Sequence, residues 1–511
     1  MVGAEILVFL LVAVALLAGF GLRYDVPYPI VLVLGGLALG FAPWLPAPDL
    51  DPDVVFFAFL PPLLYAAAFQ ASAYELRAYA LPISLLAVGL VLVTLVAVAA
   101  AAHWVADVPW EMAFVLGAVV APTDPVAATA VLRRVGAPAR IQTILEGESL
   151  VNDGTGLTAY GVALGAVGAA GLSVAGVALD FVTTAAGGIA IGLVVGWVVG
   201  RLRQATQEPS IDVVLSVLTP FAAYVPAEKI HVSGVLAVVT AGVYIGTRSL
   251  ELSQAGARLR TLAFWQASEF LLQSLLFLLV GLQLTNLVEG IEDARLLTLA
   301  GYGLALALVV IGVRLVWMSV VPAVSHLRMV SREPTPPRER IVLGWSGMRG
   351  AVSLAAALAI PADAPARELV ILLAYVVVLL TLVVPGLTLA PLLNRLGLVR
   401  DEERRREEVE ARLRLTHAAL EKLDSMDEHE VVEPLRDRYR NRIERLKDRL
   451  DAAGGHPDHN IDAAEAQIAA LEAERDVLAE LRREREFPAE LLRELEAEID
   501  VDEARVRSRG R

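Results

Sequence analysis

Long apolar runs broken by short polar stretches cover the first four-fifths of the chain. They recur at lengths of about 15–30 residues, most of them long enough for a helix to span a bilayer core. Thirteen such runs predict thirteen transmembrane helices, centred on 5–22, 28–44, 54–70, 80–105, 110–134, 141–168, 177–200, 211–226, 232–246, 264–287, 296–324, 340–361 and 368–396. The first run carries only Glu5, with no basic leader segment before it, so it reads as a span rather than a secretory signal. After Leu396 the pattern changes to charged, helix-favouring sequence over 402–450 and 461–505, separated by Gly454-Gly455-His456-Pro457. Ile461, Ala464, Ile468, Leu471 and Leu478 follow a heptad-like spacing that Arg475 interrupts. A helical hairpin is expected there, packing on itself or on a second subunit. His429, His456 and His459 are candidates for sensing pH, though the turn at His456-Pro457-Asp458-His459 favours solvated loop histidines.

Charge in the loops tests the span count and orients it. Loops after odd-numbered runs hold 14 basic residues, among them Arg133, Arg134, Arg140 and Arg338, and loops after even-numbered runs hold 3 (Lys229, Arg295, Arg367). The excess of cytoplasmic positive charge then places the N-terminus outside and the C-terminus in the cytoplasm. An odd number of spans divides into six, a connector and six, so the two sixes lie inverted. Such inverted repeats interrupt corresponding helices at the binding site. The fifth run contains Ala121-Pro122-Thr123-Asp124-Pro125 and the twelfth Gly344-Trp345-Ser346-Gly347-Met348-Arg349-Gly350. Each has helix breakers and a charge in mid-membrane. The fold class expected is an all-α membrane protein, residues 1–400, followed by a cytoplasmic helical domain, residues 401–511.

Composition narrows the class further. The chain is 511 residues long, 56% hydrophobic, with mean hydropathy +0.60, too apolar for a soluble protein of this size. Absence of cysteine excludes disulfides, thiolate metal sites and thiol nucleophiles. The net charge is −14, of which −10 falls in 401–511, and no basic footprint for nucleic acid is present.

The chemistry concentrates in Glu146-Gly147-Glu148-Ser149-Leu150-Val151-Asn152-Asp153-Gly154, where three carboxylates sit inside an apolar run. One charge at the bilayer centre costs about 2.5–3.5 kcal/mol, and such residues mark ion or proton pathways. Asp153 is the candidate for the exchanged ion. A carboxylate in a low dielectric holds a proton more readily, and when ionised it is a hard oxygen ligand for a small cation. A single group that holds H⁺ or Na⁺, but not both, couples their movement. Glu148 lies five residues before Asp153, about 140° around a helix turning 100° per residue, so the two need different partners. Arg349 is the expected counter-ion of Glu148, a structural pair. Ser149 is one turn before Asp153 on its face and offers a hydroxyl. Asn152 offers an uncharged amide, and Thr123 a hydroxyl and a carbonyl at the unwound turn. Asp124 either coordinates through water or bonds the broken helix ends. Glu269, Arg314 and Glu146 fall outside this core set: the first two pair within the bundle or face a water-filled cavity, and Glu146 sits near the cytoplasmic mouth.

Four segments together resemble one family. Pro122-Thr123-Asp124-Pro125-Val126-Ala127, Glu146 to Gly154, Phe277-Leu278-Leu279-Val280-Gly281-Leu282-Gln283 and Gly347-Met348-Arg349-Gly350-Ala351-Val352-Ser353-Leu354 are similar to the monovalent cation:proton antiporters of the NhaP type, over about 5–400. The resemblance implies a homodimer in which one domain carries the site across the membrane against a static one. It assigns ion and proton binding to Asp153, with Thr123 and Ser149 completing a sodium site, Glu148 paired with Arg349, and Asp124 stabilising the crossing of unwound helices. The Asn152-Asp153 pair resembles electroneutral members, which need no cofactor beyond the transported Na⁺ and H⁺. One departure is Ala66, where some members place an acid two positions after Leu60-Pro61-Pro62-Leu63-Leu64. The expected function is Na⁺/H⁺ antiport in the plasma membrane, in contact with lipid, with K⁺/H⁺ antiport as the alternative. An intramembrane enzyme is the rival from another class, because Asp153-Gly154-Thr155-Gly156 superficially resembles an aspartic-protease triplet; a channel is the third reading.

Overall fold

The computed structural model describes residues 3–24, 26–42, 54–167, 174–206, 208–288, 293–324, 335–398, 401–425 and 432–451, with scattered positions between 467 and 503. It divides into two compact units, Met1–Val399 and Arg400–Arg511. Helix is the only regular structure among the described residues.

In the first unit a helix, or a broken pair of helices, occupies each apolar run. They are α1 (Gly3–Arg23), α2 (Tyr28–Gly40), α3 (Val55–Gln70), α4 (Ala80–Ala106), α5 (Trp110–Val120), α6 (Val126–Val135), α7 (Ala139–Ala166), α8 (Val174–Ala205) and α9 (Pro209–Lys229). There follow α10 (Gly234–Thr247), α11 (Ala255–Val288), α12 (Asp293–Val324), α13 (Pro337–Trp345), α14 (Ala351–Leu358) and α15 (Arg367–Leu396). Seven helical segments among the described residues are long and apolar enough to cross a membrane: those of α1, α4, α8, α9, α11, α12 and α15. Helix α7 is 28 residues long, but Glu146, Glu148 and Asp153 interrupt its apolar sequence. Glu146 meets Arg133 and Glu148 meets Arg314.

Local sequence explains the irregularities. Pro61 and Pro62 lack amide donors, and the wider π turn Val55–Phe59 precedes them. In α4 a second π turn, Leu85–Leu90, follows Pro82. Pro122 and Pro125 end α5 and delay α6, while Gly347 and Gly350 flank the gap between α13 and α14. Both breaks expected from the sequence are present.

Packing sorts these helices into two groups. Helix α2 lies along α11, and α10 lies against α3, α8 and α9. Helices α4, α5, α7, α12 and α15 form a second group around the two breaks. Glycines set the closest approaches in the first. A Cβ at Gly36 would strike the Leu278 carbonyl, and one at Gly281 would strike that of Val33, so α2 and α11 touch backbone to backbone.

A second charge pair is buried in the first group. Arg203 at the end of α8 grips Asp212 in the first turn of α9 through two bonds of 2.7 and 2.6 Å. Ser253 and Thr261 donate to the same carboxylate, so its lone pairs are filled.

In the second unit α16 (Asp401–Asp424) and α17 (Val432–Asp451) pack as a hairpin, burying Thr416, Ile443 and Leu446. Arg436 donates to the Leu423 carbonyl at 2.9 Å and pairs with Glu433, holding that carboxyl below the usual carboxylate range. The hairpin expected between 402–450 and 461–505 therefore already forms inside the first of these segments. The turn at 454–457, the heptad positions Ile461 and Ala464, and His429, His456 and His459 lie outside the described residues. Leu471 and Leu478 are buried, and Arg475 pairs with Asp500 and Glu503.

Candidate functional site

The two broken helices meet at their gaps. The Asp124 amide donates to the Met348 carbonyl at 2.8 Å, stitching one gap to the other. Its carboxylate accepts the Val126 amide at 2.9 Å, which fills one of the unpartnered donors at the start of α6. Across the gap, Arg349 donates to the carbonyls of Val120 at 3.0 Å and Ala121 at 3.4 Å, the end of α5, and to that of Gly347. Each half-helix end thus receives a charge of the sign that suits its dipole: an anion at the N-terminus of α6, a cation at the C-terminus of α5. Gly350 is required by this crossing, because a Cβ there would collide with the Asp124 carboxylate. Gly156 of α7 lies so close to the Pro122 ring that a side chain would not fit, which seats α7 on the first gap.

Helix α7 then presents two carboxylates in contrasting settings. Glu148 is 1% exposed. Arg314 of α12 donates to both its oxygens, at 2.5 and 2.7 Å, and the Thr123 hydroxyl donates at 2.8 Å. The third nitrogen of Arg314 reaches the Leu343 carbonyl at 3.0 Å. This corrects the expected Glu148–Arg349 pair: the counter-ion is Arg314, and Arg349 is spent on backbone carbonyls instead. Gly347 leaves room for the Arg314 stem to pass. The signal that would have found this pair is the charge in Gly312-Val313-Arg314-Leu315, since an arginine in an apolar run needs a carboxylate as surely as the reverse.

Asp153 is half-buried and, among the described residues, takes part in no hydrogen bond or ion pair. It lines a cavity of about 280 Å³ together with Thr123, Asp124 and Ser149. Four of the five residues expected at the ion site are therefore brought to one space. The fifth, Asn152, is fully buried and does not line it. Its amide donates to the Thr123 carbonyl at 3.0 Å and to the Thr123 hydroxyl at 2.9 Å, holding the first gap open. Glu148 and Arg349 likewise lie outside the lining.

The cavity reaches the surface at Arg133 and Glu146, an exposed pair 2.7 Å apart that also lines it. Glu269 lines it too, hydrogen-bonded to Gln70 and Gln273 at 3.1 Å each. Glu269, expected outside the core set, lies in the same space as Asp153. With the carboxylates ionised, four acids face one guanidinium along these walls, a charge pattern that concentrates cations.

The family model for the transmembrane sodium/hydrogen exchanger matches residues 7–395. An uncharacterized Na⁺/H⁺ exchanger of Mycobacterium tuberculosis is 34% identical over 99% of this chain and 96% of its own. The Na⁺/H⁺ antiporter ApNhaP of Aphanothece halophytica is 30% identical, over 75% of this chain and 72% of its own. The Na⁺/H⁺ antiporter NhaH of Halobacillus aidingensis is 31% identical, over 77% and 98%. In fold, the chain is similar to the sodium proton antiporter MjNhaP1 of Methanocaldococcus jannaschii, with a TM-score of 0.62 at 21% identity over 77% of this chain and 99% of that one. The half-buried carboxylate, the paired breaks and the long apolar helices thus belong to a multi-pass membrane transporter, a member of the sodium/hydrogen exchanger family.

Proposed function

We propose that the protein exchanges Na⁺ for H⁺ across the plasma membrane, with Asp153 as the group both ions compete for. The observation that carries this is the contrast within α7: Glu148 has every oxygen engaged, while Asp153 faces a cavity with no partner among the described residues. An ionised carboxylate in that setting needs a cation or a proton, and it accommodates one at a time. Thr123 and Ser149 are the neutral oxygens that complete the cation site; Asp124 and Asn152 hold the unwound gap that exposes it. Relatives named as Na⁺/H⁺ antiporters favour sodium over potassium as the cargo.

The same reading takes all thirteen helical runs as spans in two inverted sixes, residues 1–400 as the transport domain and 401–511 as a cytoplasmic helical domain. The N-terminus is outside. The cavity mouth, at Arg133 and Glu146 between the fifth and sixth runs, then opens to the cytoplasm. One cation for one proton makes the exchange electroneutral. Loaded sites cross and the bare Asp153 carboxylate does not, because only neutralised charge crosses an apolar barrier cheaply. The working unit is a homodimer.

Proton flux in proteoliposomes with a preset pH gradient tests the reading. Na⁺ collapses the gradient equally with and without a potential clamp, and Asp153→Asn abolishes the effect. Collapse by K⁺ alone would replace the cargo, current without proton coupling would make the protein a channel, and full activity in Asp153→Asn would remove the assignment.

A further inference from the structure

A polar cluster around Glu269 lines the same cavity. The Glu269 carboxylate is held at both oxygens, by the Gln70 amide on α3 and the Gln273 amide one turn along α11. Gln273 in turn accepts the Tyr28 hydroxyl at 3.1 Å, and Gln70 also donates to the Ala66 carbonyl at 3.2 Å. Among the described residues, every donor to Glu269 is a neutral amide. This fixes the carboxylate without cancelling its charge, unlike Glu148 or Asp212, each of which meets an arginine. The nearest guanidinium along the lining, Arg133, is bonded to Glu146. Three helices contribute to a site with no charged donor among the described residues, and all four side chains line the space that Asp153 also lines.

We propose that Glu269, set by Gln70, Gln273 and Tyr28, is an outer binding point where a monovalent cation loses part of its water before passing to Asp153. Its ligands are hard oxygens: the carboxylate and the amide and phenol oxygens beside it, which suit an alkali cation. The role rests on the cation exchange proposed above. It also has a sidedness. Tyr28 and Glu269 stand on α2 and α11, which the Gly36–Gly281 contact pins together, so the cluster stays at one end of the pathway whatever α7 does. Glu269 therefore serves ions entering from one membrane face.

The test compares wild type, Glu269→Gln, Glu269→Asp and Gln70→Ala in oriented proteoliposomes, with the KM for Na⁺ measured separately from each face. In Glu269→Gln the KM rises about tenfold at one face, the low end of the enrichment a charge-lined cleft provides, and is unchanged at the other. Glu269→Asp keeps the charge and falls between that variant and wild type. Gln70→Ala, at an exposed helix end, raises the same KM at the same face by a smaller factor. A KM unchanged at both faces, raised alike at both, or raised equally by the Asp and Gln variants would overturn the outer site. Wild-type vesicles with no cation-driven flux would instead overturn the exchange reading on which it rests.

Discussion

Glu148 and Asp153 share one helix, one turn and a half apart, yet they solve the cost of a charge in the membrane in opposite ways. Glu148 is closed off: Arg314 and Thr123 fill its oxygens and it is 1% exposed. Asp153 opens on a cavity and has no partner among the described residues. A buried ion pair that is fully bonded holds helices in register, and breaking it strands a charge. A carboxylate left without a partner is available to a mobile one. The difference supports the proposal that the first residue is structural and the second binds the cargo, although both carry the same functional group.

The sharpest way to separate them is to neutralise each in turn. Asp153→Asn removes cation-driven proton movement altogether while thermal unfolding stays within about 1 kcal/mol of wild type, since no bonded partner is stranded. Glu148→Gln gives the reverse balance. It strands Arg314 and costs about 3–5 kcal/mol of stability, read from thermal unfolding in detergent. Adding Arg314→Met to it recovers most of that loss, whereas adding Arg349→Met does not and destabilises further, because the carbonyls of Val120 and Ala121 then lose their donor.

Asp212→Asn provides a control in the other helix group. It strands Arg203 in the same way and lowers stability by a similar amount, about 3–5 kcal/mol, yet leaves the KM for Na⁺ where it was, because the Arg203–Asp212 pair does not line the cavity. A shift in KM there would show that burial, rather than position at the cavity, governs the comparison. The smallest effect is expected at Ser149→Ala. Loss of one neutral oxygen ligand costs about 1 kcal/mol, or roughly a fivefold rise in KM for Na⁺, with unfolding unchanged.

Much of this site was legible in the chain because its features are local. Proline and glycine mark the breaks directly: Pro122 and Pro125 remove amide donors, and Gly350 fits where Asp124 passes. The helical spacing of Ser149 and Asp153 put both on the cavity, and the 140° between Glu148 and Asp153 foretold separate partners. The choice between Arg314 and Arg349 was not legible. Both are single arginines in apolar sequence, and only the packing of α12 against the second gap decides which reaches Glu148. A helix that stops in mid-membrane leaves carbonyls unfilled, and Arg349 sits beside such an end and fills them. Asn152 adjoins Asp153 in sequence and is expected at its site, but neighbours on a helix diverge by about 100°, and its amide turns to Thr123 instead. In the second unit, the composition of 402–450 gave helix but not the reversal after Asp424.

Calorimetric titration of Na⁺ into the purified protein, repeated in buffers of different ionisation enthalpy, measures how many protons leave as the cation binds. Mutual exclusion at Asp153 predicts release of about one proton per Na⁺ at a pH where the site is protonated, with both the binding heat and the release absent in Asp153→Asn. Sodium binding with no proton released, or the same release from Asp153→Asn, would contradict the claim that one carboxylate carries both ions.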